Sequence, residues 1–387
     1  MLTILTLNNI SPKGLARLPA DRYAVSADER HPDAILVRSH KMHDMELPAS
    51  VRAVARAGAG TNNIPVERLS RLGVPVFNTP GANANAVKEL VLAGMLIACR
   101  KLFDAWDFAR HLEGADAEIS KAVEAGKKKF AGIELPGRTV GVIGLGAIGR
   151  SVSNICLELG MNAIGYDPSL TVDGAWQLSR DVRRATSVEQ VLREAEFISV
   201  HVPLTPQTKN MINADNLAQA RQGATVLNFA RDGIVDDNAV CDAVDAGRLN
   251  AYVSDFPSNR TRACRGAITL PHLGASTAEA EENCAIMAAE QLRDFLEHGN
   301  LRNSVNFPEV RMARGTEHRL VVANANVPNM LGQISTAMAQ ANLNIHDMIN
   351  QSRGELAYTI VDTDAPVPEA VVKHVRAIAG VMMARVI

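Results

Sequence analysis

The chain has 387 residues, 47% of them hydrophobic and 21% charged, which is enough apolar material for two or three domains and argues against disorder. Forty Lys and Arg stand against 42 Asp and Glu, a formal net charge of -2, so there is no basic excess for a nucleic-acid partner. The longest uncharged apolar stretch, Leu90 to Cys99, is about half of the ~20 residues that cross a bilayer, so no membrane partner is expected.

The opening MLTILTLNNI reads as a first strand, with neither the charged leader nor the cleavage-type ending of an export signal. Strand-length apolar runs follow at Ala34 to Arg38, Ala53 to Arg56, Val74 to Asn78, Thr139 to Ile143 and Ala163 to Tyr166. They alternate with helical patterns, which predicts an α/β fold with parallel sheets covered on both faces. A long helical pattern from Ala82 to His111, interrupted only by Gly94, leads into the charged segment Glu113 to Lys129, which is expected to carry the chain from one domain into another. A second long helix, Ala278 to Glu297, precedes the polar stretch His298 to Asn306 and Pro308, and reads as the return crossing and a linker. From Thr316 the rhythm changes. Strand His318 to Ala323, helix Leu331 to Ala341, a hairpin around Arg353-Gly354, helix Glu369 to Ile378 and strand Val381 to Val386 give a ferredoxin-like βαββαβ unit. Five scattered cysteines (Cys99, Cys156, Cys241, Cys264, Cys284) with no CxxC pair suggest neither a disulfide framework nor a metal site, and a reducing cytoplasm is expected.

The strongest local signal is a strand running into Gly144-x-Gly146-x-x-Gly149 and on into an apolar-faced helix. Gly144 permits the tight turn, Gly146 removes the Cβ that would block a pyrophosphate, and Gly149 lets helix and strand approach closely. The helix start, with Ala147 and Ile148, offers free N–H groups and a partial positive charge. Asp167, eighteen residues past Gly149, stands where an acid takes the ribose hydroxyls and repels a 2′-phosphate, so NAD is the expected cofactor. A ligand-free glycine turn is the alternative for the motif, and a surface turn before Pro168 the alternative for Asp167.

With a nicotinamide cofactor the protein must still clamp the substrate and manage one proton. Arg231 follows the apolar strand Ala224 to Phe229 and could grip a carboxylate in bidentate fashion. His272, between a strand and a helix, has the near-neutral chemistry of an acid/base. A surface salt bridge and a helix-entry residue are the respective alternatives.

The motifs VGVIGLGAIG, Asp167, His201-Val-Pro-Leu-Thr205, Asn228-Phe-Ala-Arg231 and Pro271-His-Leu-Gly-Ala-Ser276 stand in the order seen in the D-isomer-specific 2-hydroxyacid dehydrogenases, and the resemblance covers essentially the whole chain. It implies a dehydrogenase in which a Rossmann-type NAD-binding domain (99–275) is inserted in a flavodoxin-like substrate-binding domain (1–98 and 276–310), with an ACT-type regulatory domain (316–387). Arg231 and His272 would be catalytic. His201, Val202, Pro203, Thr208, Phe229 and Ala230 would border the cofactor, and Asp255 would hold the nicotinamide amide. Gly58, Ala59 and Gly60 would contact the substrate carboxylate. Arg38, Ser39 and Lys41, with His40 and His43 beside them, would face a phosphate, unless they form only a solvated basic turn. The substrate so implied is a phosphorylated 2-hydroxy acid, 3-phospho-D-glycerate, oxidised to 3-phosphohydroxypyruvate.

Two positions depart from the family pattern. Asn259 stands where a glutamate pairs with the histidine, so His272 would have an amide in place of a charge unless another carboxylate reaches it. In the tail Asn324 replaces a histidine, while Asn326 and Asn344 match the remaining polar positions of a serine-binding ACT unit, so L-serine is an effector to test against an ACT unit used only for assembly. Such units pair edge to edge, which implies a homo-oligomer, dimer or tetramer. Two further readings stand beside this one: a dehydrogenase of the hydroxypyruvate/glycerate type, and a non-catalytic NAD-sensing binding protein.

Overall fold

Short, β-branched and Ala-rich strands buried on both faces dictate parallel sheets, and the computed structural model, which describes residues 1–387, contains two of them. By internal contacts the chain divides into Met1–Asn83 with Ala278–Ile387, and Ala84–Thr277.

In the first unit, strands β1 (Leu2–Leu7), β2 (Tyr23–Ser26), β3 (Ala34–Val37), β4 (Ala53–Arg56) and β5 (Val76–Phe77) form a parallel sheet in the order β2-β1-β3-β4-β5. This is the flavodoxin-like order, whose reversal between β1 and β3 opens a ligand-accepting edge at the strands' C-terminal ends. β2 escapes sequence reading because YAVS is a short edge strand with only Tyr23 fully buried.

The C-terminal segment forms strands β13 (His318–Ala325), β14 (Ile345–Arg353), β15 (Leu356–Thr363) and β16 (Val381–Val386), an antiparallel sheet in the order β14-β15-β13-β16. Helices Met330–Gln340 and Glu369–Ala377 cover one face through Ile334, Met338, Val372 and Val375. The other face is not free. Val321, Ala323, Tyr358 and Ile360 share one core with Ile4, Ala288, Leu292 and Phe295, so this sheet belongs with the first unit.

Polar clamps reinforce that packing around the end of helix Ala278–His298. Carbonyls at a helix end need donors from outside the helix. Arg385 donates to Phe295 O and lies over the Phe295 ring, Arg319 donates to His298 O, and Tyr358 Oη donates to Gly299 O. Arg319 is fully buried and forms a two-bond pair with Asp362, Nε to Oδ1 at 2.6 Å and Nη2 to Oδ2 at 2.9 Å.

The second unit holds β6 (Thr139–Ile143), β7 (Asn162–Tyr166), β8 (Arg183–Arg184), β9 (Phe197–Val200), β10 (Ala224–Asn228), β11 (Leu249–Ser254) and β12 (Ala267–Thr269), all parallel, in the order β12-β11-β10-β9-β6-β7-β8. The chain winds one way from β6 and returns to wind the other way from β9, which is the doubly wound Rossmann pattern.

Two boundary expectations are corrected. The helical pattern from Ala82 breaks at Lys101, whose φ is +51°, and not at Gly94. Helix Ala84–Arg100 runs through Gly94, whose missing Cβ would sit 3.0 Å from Phe229 and 3.1 Å from Val253, so the helix packs with the second unit and the division falls at Asn83/Ala84. The charged segment expected to cross between domains instead forms helix Asp116–Gly126 within that unit. No helix is long and apolar enough to cross a membrane.

Candidate active site

In the second unit the predicted residues lie along one edge of the sheet, each just past the C-terminal end of its strand. In spatial order they are His272 after β12, Asp255 after β11, Phe229 to Arg231 after β10, His201 after β9, the glycine turn after β6 and Asp167 after β7. Strands ~4.8 Å apart make this row roughly 24 Å long.

The glycine turn fits a dinucleotide. Gly144 has φ +92°, and a Cβ there would lie 2.7 Å from His201 O. A Cβ on Gly149 would lie 1.9 Å from Gly144 O, so helix Ala147–Glu158 can approach the turn only without it. At Gly146 an added Cβ would meet nothing within 4 Å, and that space faces a helix start with no side-chain cap. The first-turn N–H groups of Ala147, Ile148 and Gly149 are thereby left for an anion. Asp167 braces the turn, accepting from Leu145 N at 2.8 Å and Ser169 N at 2.8 Å, with lone pairs to spare on both oxygens.

Further along the row, two buried polar atoms have no partner, His201 Nδ1 and Asp255 Oδ1. Such atoms cost free energy unless a ligand meets them. Burial pushes the His201 ring down to about 4, so it stands neutral, its Nε2 2.8 Å from Ser199 Oγ. Thr208 Oγ1 donates to Pro203 O and thereby shapes the loop from His201 to Thr208.

Arg231 is exposed, and its guanidinium touches only Ala230 O at 2.6 Å. Its placement is set by buried Asn228, whose side chain accepts from Ala230 N and donates to Arg231 O. The sequence motif contained this residue without revealing its role.

His272 takes a φ of +45°, held there by its N–H donating to Asp255 O at 2.8 Å, and its ring lies 4.9 Å from that of Phe256. Asp255 is 1% exposed. Burial raises its carboxyl, opposed by the Gly274 N–H at 3.0 Å and by the charge of His272. Asn259 does not serve His272. It is exposed at the start of the short helix Asn259–Ala263, and its side chain makes no hydrogen bond. Its neighbour Arg260 is tied to Asp242 and Asp245.

In the first unit the C-terminal edge is again where the predicted groups gather. Gly58 has φ +155°, Thr79 N donates to Gly58 O and Asn78 Nδ2 to Ala59 O, which fixes the loop's carbonyls, while the N–H groups of Ala59 and Gly60 have no acceptor. Arg38 follows β3 beside this loop, but its guanidinium is already paired with Glu281. Asn8 Oδ1 accepts from both Ser39 N and His40 N, so those two backbone donors are already taken. Lys41 is exposed and unpaired, while His43 is bound to Asn62 O. Neither Asn8 nor Glu281 carried a signal in the sequence, since both act from more than thirty residues away.

The three asparagines of the tail do not meet within one chain. Asn324 is 1% exposed and donates to Ala325 O. Asn326 donates to Gly354 O at one end of β15, whereas Asn344 pairs with Asp364 at the other.

Residues 102–274 match the family described as D-isomer specific 2-hydroxyacid dehydrogenase, NAD binding domain. The chain is 31% identical over 384 residues to a D-3-phosphoglycerate dehydrogenase of Haemophilus influenzae, covering 96% of this chain and 90% of that one. It is 34% identical over 285 residues to a D-3-phosphoglycerate dehydrogenase of Synechocystis, covering 71% of this chain and about half (49%) of that relative. Among solved structures, an NAD+-bound 3-phosphoglycerate dehydrogenase of Entamoeba histolytica superposes with a TM-score of 0.61 at 25% identity, over 79% of this chain and 98% of that one.

Proposed function

Since the chain belongs to the D-isomer-specific 2-hydroxyacid dehydrogenase family, we propose that it catalyses the NAD-dependent oxidation of 3-phospho-D-glycerate to 3-phosphohydroxypyruvate. The observation that carries this is the row of Arg231, Asp255 and His272 on three neighbouring strand ends, on the same edge as a glycine turn with room at Gly146.

Each group then has a task. The first-turn N–H groups after Gly146 and the carboxylate of Asp167 hold the dinucleotide, with pyrophosphate on the helix start and ribose on the acid. When bound, the nicotinamide supplies the two-electron acceptor that side chains lack. The unpartnered Asp255 Oδ1 suits the carboxamide N–H₂ of that ring. Arg231 grips the substrate carboxylate and polarises the C2 oxygen. His272 takes the hydroxyl proton as C2 is oxidised, and returns it in the reverse reaction. Asp255 also positions His272, whose backbone N–H donates to Asp255 O at 2.8 Å. In the first unit the free N–H groups of Ala59 and Gly60 suit a carboxylate, and Arg38, Ser39 and Lys41 suit the phosphate.

Assembly follows from two surfaces. Helix Leu102–Arg110 buries none of its residues and exposes Leu102, Phe103 and Trp106 at 45%, 46% and 59%, an apolar face suited to a second copy. β14 is an edge strand, and antiparallel pairing of two copies along it would set the start of one strand beside the end of the other. The partner's Asn344 would then approach Asn326, and L-serine would be bound by residues from two chains.

The test is NADH formation at 340 nm with 3-phosphoglycerate, D-glycerate and D-lactate, with and without L-serine. Turnover of the phosphorylated acid supports the assignment. Turnover confined to unphosphorylated acids, or NAD binding with none, refutes it.

A further inference from the structure

Resting on that reaction, we infer that Glu281 sets selectivity between phosphorylated and unphosphorylated acids by competing with the substrate's phosphate for Arg38. Glu281 lies in the first turn of helix Ala278–His298, and its Oε1 accepts from Arg38 Nη2. The neighbouring Glu282 is engaged separately, its Oε2 2.6 Å from Lys13 Nζ. Arg56, on the adjacent strand, donates its Nε to Arg38 O and directs its guanidinium at Gly58, so it braces the backbone of this loop.

One turn further along the same helix lies Cys284, buried beneath the cluster. Burial raises its thiol, Arg56 and Arg38 draw it down, and Glu281 works against them, so these four side chains share one electrostatic environment.

The pair is made to be exchanged. Arg38 and Glu281 are 39% and 43% exposed, and an ion pair so wetted is weak. A phosphate monoester carries about 1.5 to 2 negative charges and three acceptor oxygens, and can displace a carboxylate from a guanidinium. Every binding of a phosphorylated acid must nevertheless break the internal pair and leave the Glu281 carboxylate beside the incoming anion. An acid ending in a hydroxymethyl group leaves the pair intact. Glu281 therefore penalises one substrate class and spares the other.

The experiment is calorimetric titration of the full chain with inorganic phosphate, using wild type, Glu281→Gln, Arg38→Gln and the double variant. Glu281→Gln should bind phosphate about fivefold tighter than wild type, a gain that vanishes when Arg38 is also replaced. Equal affinity in wild type and Glu281→Gln, a gain that persists without Arg38, or no phosphate binding by any of the four overturns the inference. In turnover, the ratio of kcat/KM for 3-phosphoglycerate over D-glycerate should rise by a similar factor in Glu281→Gln. A wild type that oxidises neither acid would sink the proposed reaction, while the phosphate titration would still decide the role of Glu281.

Discussion

Replacing Asp362 with Leu should loosen the C-terminal sheet while sparing the dinucleotide sheet. Arg319 offers five N–H donors, and all five are used: two on Asp362, and one each on His298 O at 2.8 Å, Met312 O at 3.1 Å and Ala313 O at 3.0 Å. Removing the carboxylate strands a fully buried cation, for which about 3–5 kcal/mol is the usual cost. At ~1.4 kcal/mol per factor of ten, amides of β13 and β15 should exchange with solvent roughly a hundredfold to a few thousandfold faster. Hydrogen exchange read by mass spectrometry measures this directly, with peptides from β6 and β10 as the control. The pair Asp362→Leu with Arg319→Met should cost less than the two single changes added together, because no charge is left stranded. Burial alone would raise the Asp362 carboxyl, but the Arg319 hydrogen bonds and the Gly315 N–H bring it below its ordinary value. A depressed carboxyl contributes stability above the unfolded value near about 4 and loses it as pH falls through the lower folded value, so wild type should show an acid step that Asp362→Leu lacks. Exchange accelerated less than tenfold in β13 and β15, or equally in β6 and β10, would refute the reasoning.

Four other outcomes follow from the second unit. Gly146→Ala should keep its thermal midpoint and weaken NAD binding about tenfold or more, whereas Gly149→Ala, whose Cβ would lie 1.9 Å from a carbonyl, should fail to fold stably; equal behaviour in cofactor titration and melting would count against both. Arg231→Gln and His272→Asn should each lower kcat/KM by about a hundredfold or more while NAD still binds, and a loss under tenfold in steady-state assays removes the residue from the chemistry. Asn259→Ala should change kcat less than threefold because its side chain holds nothing; a collapse in rate would restore it as the partner of His272. His201 has a folded value of about 4 against ~6.5 unfolded, so the unfolded chain takes up the proton first and stability should fall by up to ~3 kcal/mol as pH drops between those values. His201→Gln should flatten that slope in pH-dependent melting, and parallel curves would be the contrary result.

Local chemistry was legible in the sequence wherever a residue acts through its own backbone. Gly144, Gly146 and Gly149 could be assigned because the three stand at fixed spacing between one strand and the helix that follows it, and Asp167 because the strand that ends at Tyr166 dictates its place. The parallel character of both sheets followed from the alternation of apolar runs, apart from edge strands such as β2 that bury too little to leave a pattern. The misses are long-range. Glu281 reaches Arg38 across 243 positions, and Asn8 caps Ser39 and His40 from 31 and 32 positions away, so no spacing encodes either contact. Asn259 was assigned from the family resemblance, but where its side chain goes depends on the short helix it begins, which Ser258 caps and Arg260 ties to Asp242.

The 21-residue helix Ala278–His298 spans about 31 Å at 1.5 Å per residue. Arg385, Arg319 and Tyr358 grip its tail end, and Glu281 rides near its head. Between those ends Ala285, Ala288 and Leu292 are buried in the core that both sheets of the unit share, so one unbroken rod spans the distance from the antiparallel sheet's grip to the Arg38–Glu281 pair.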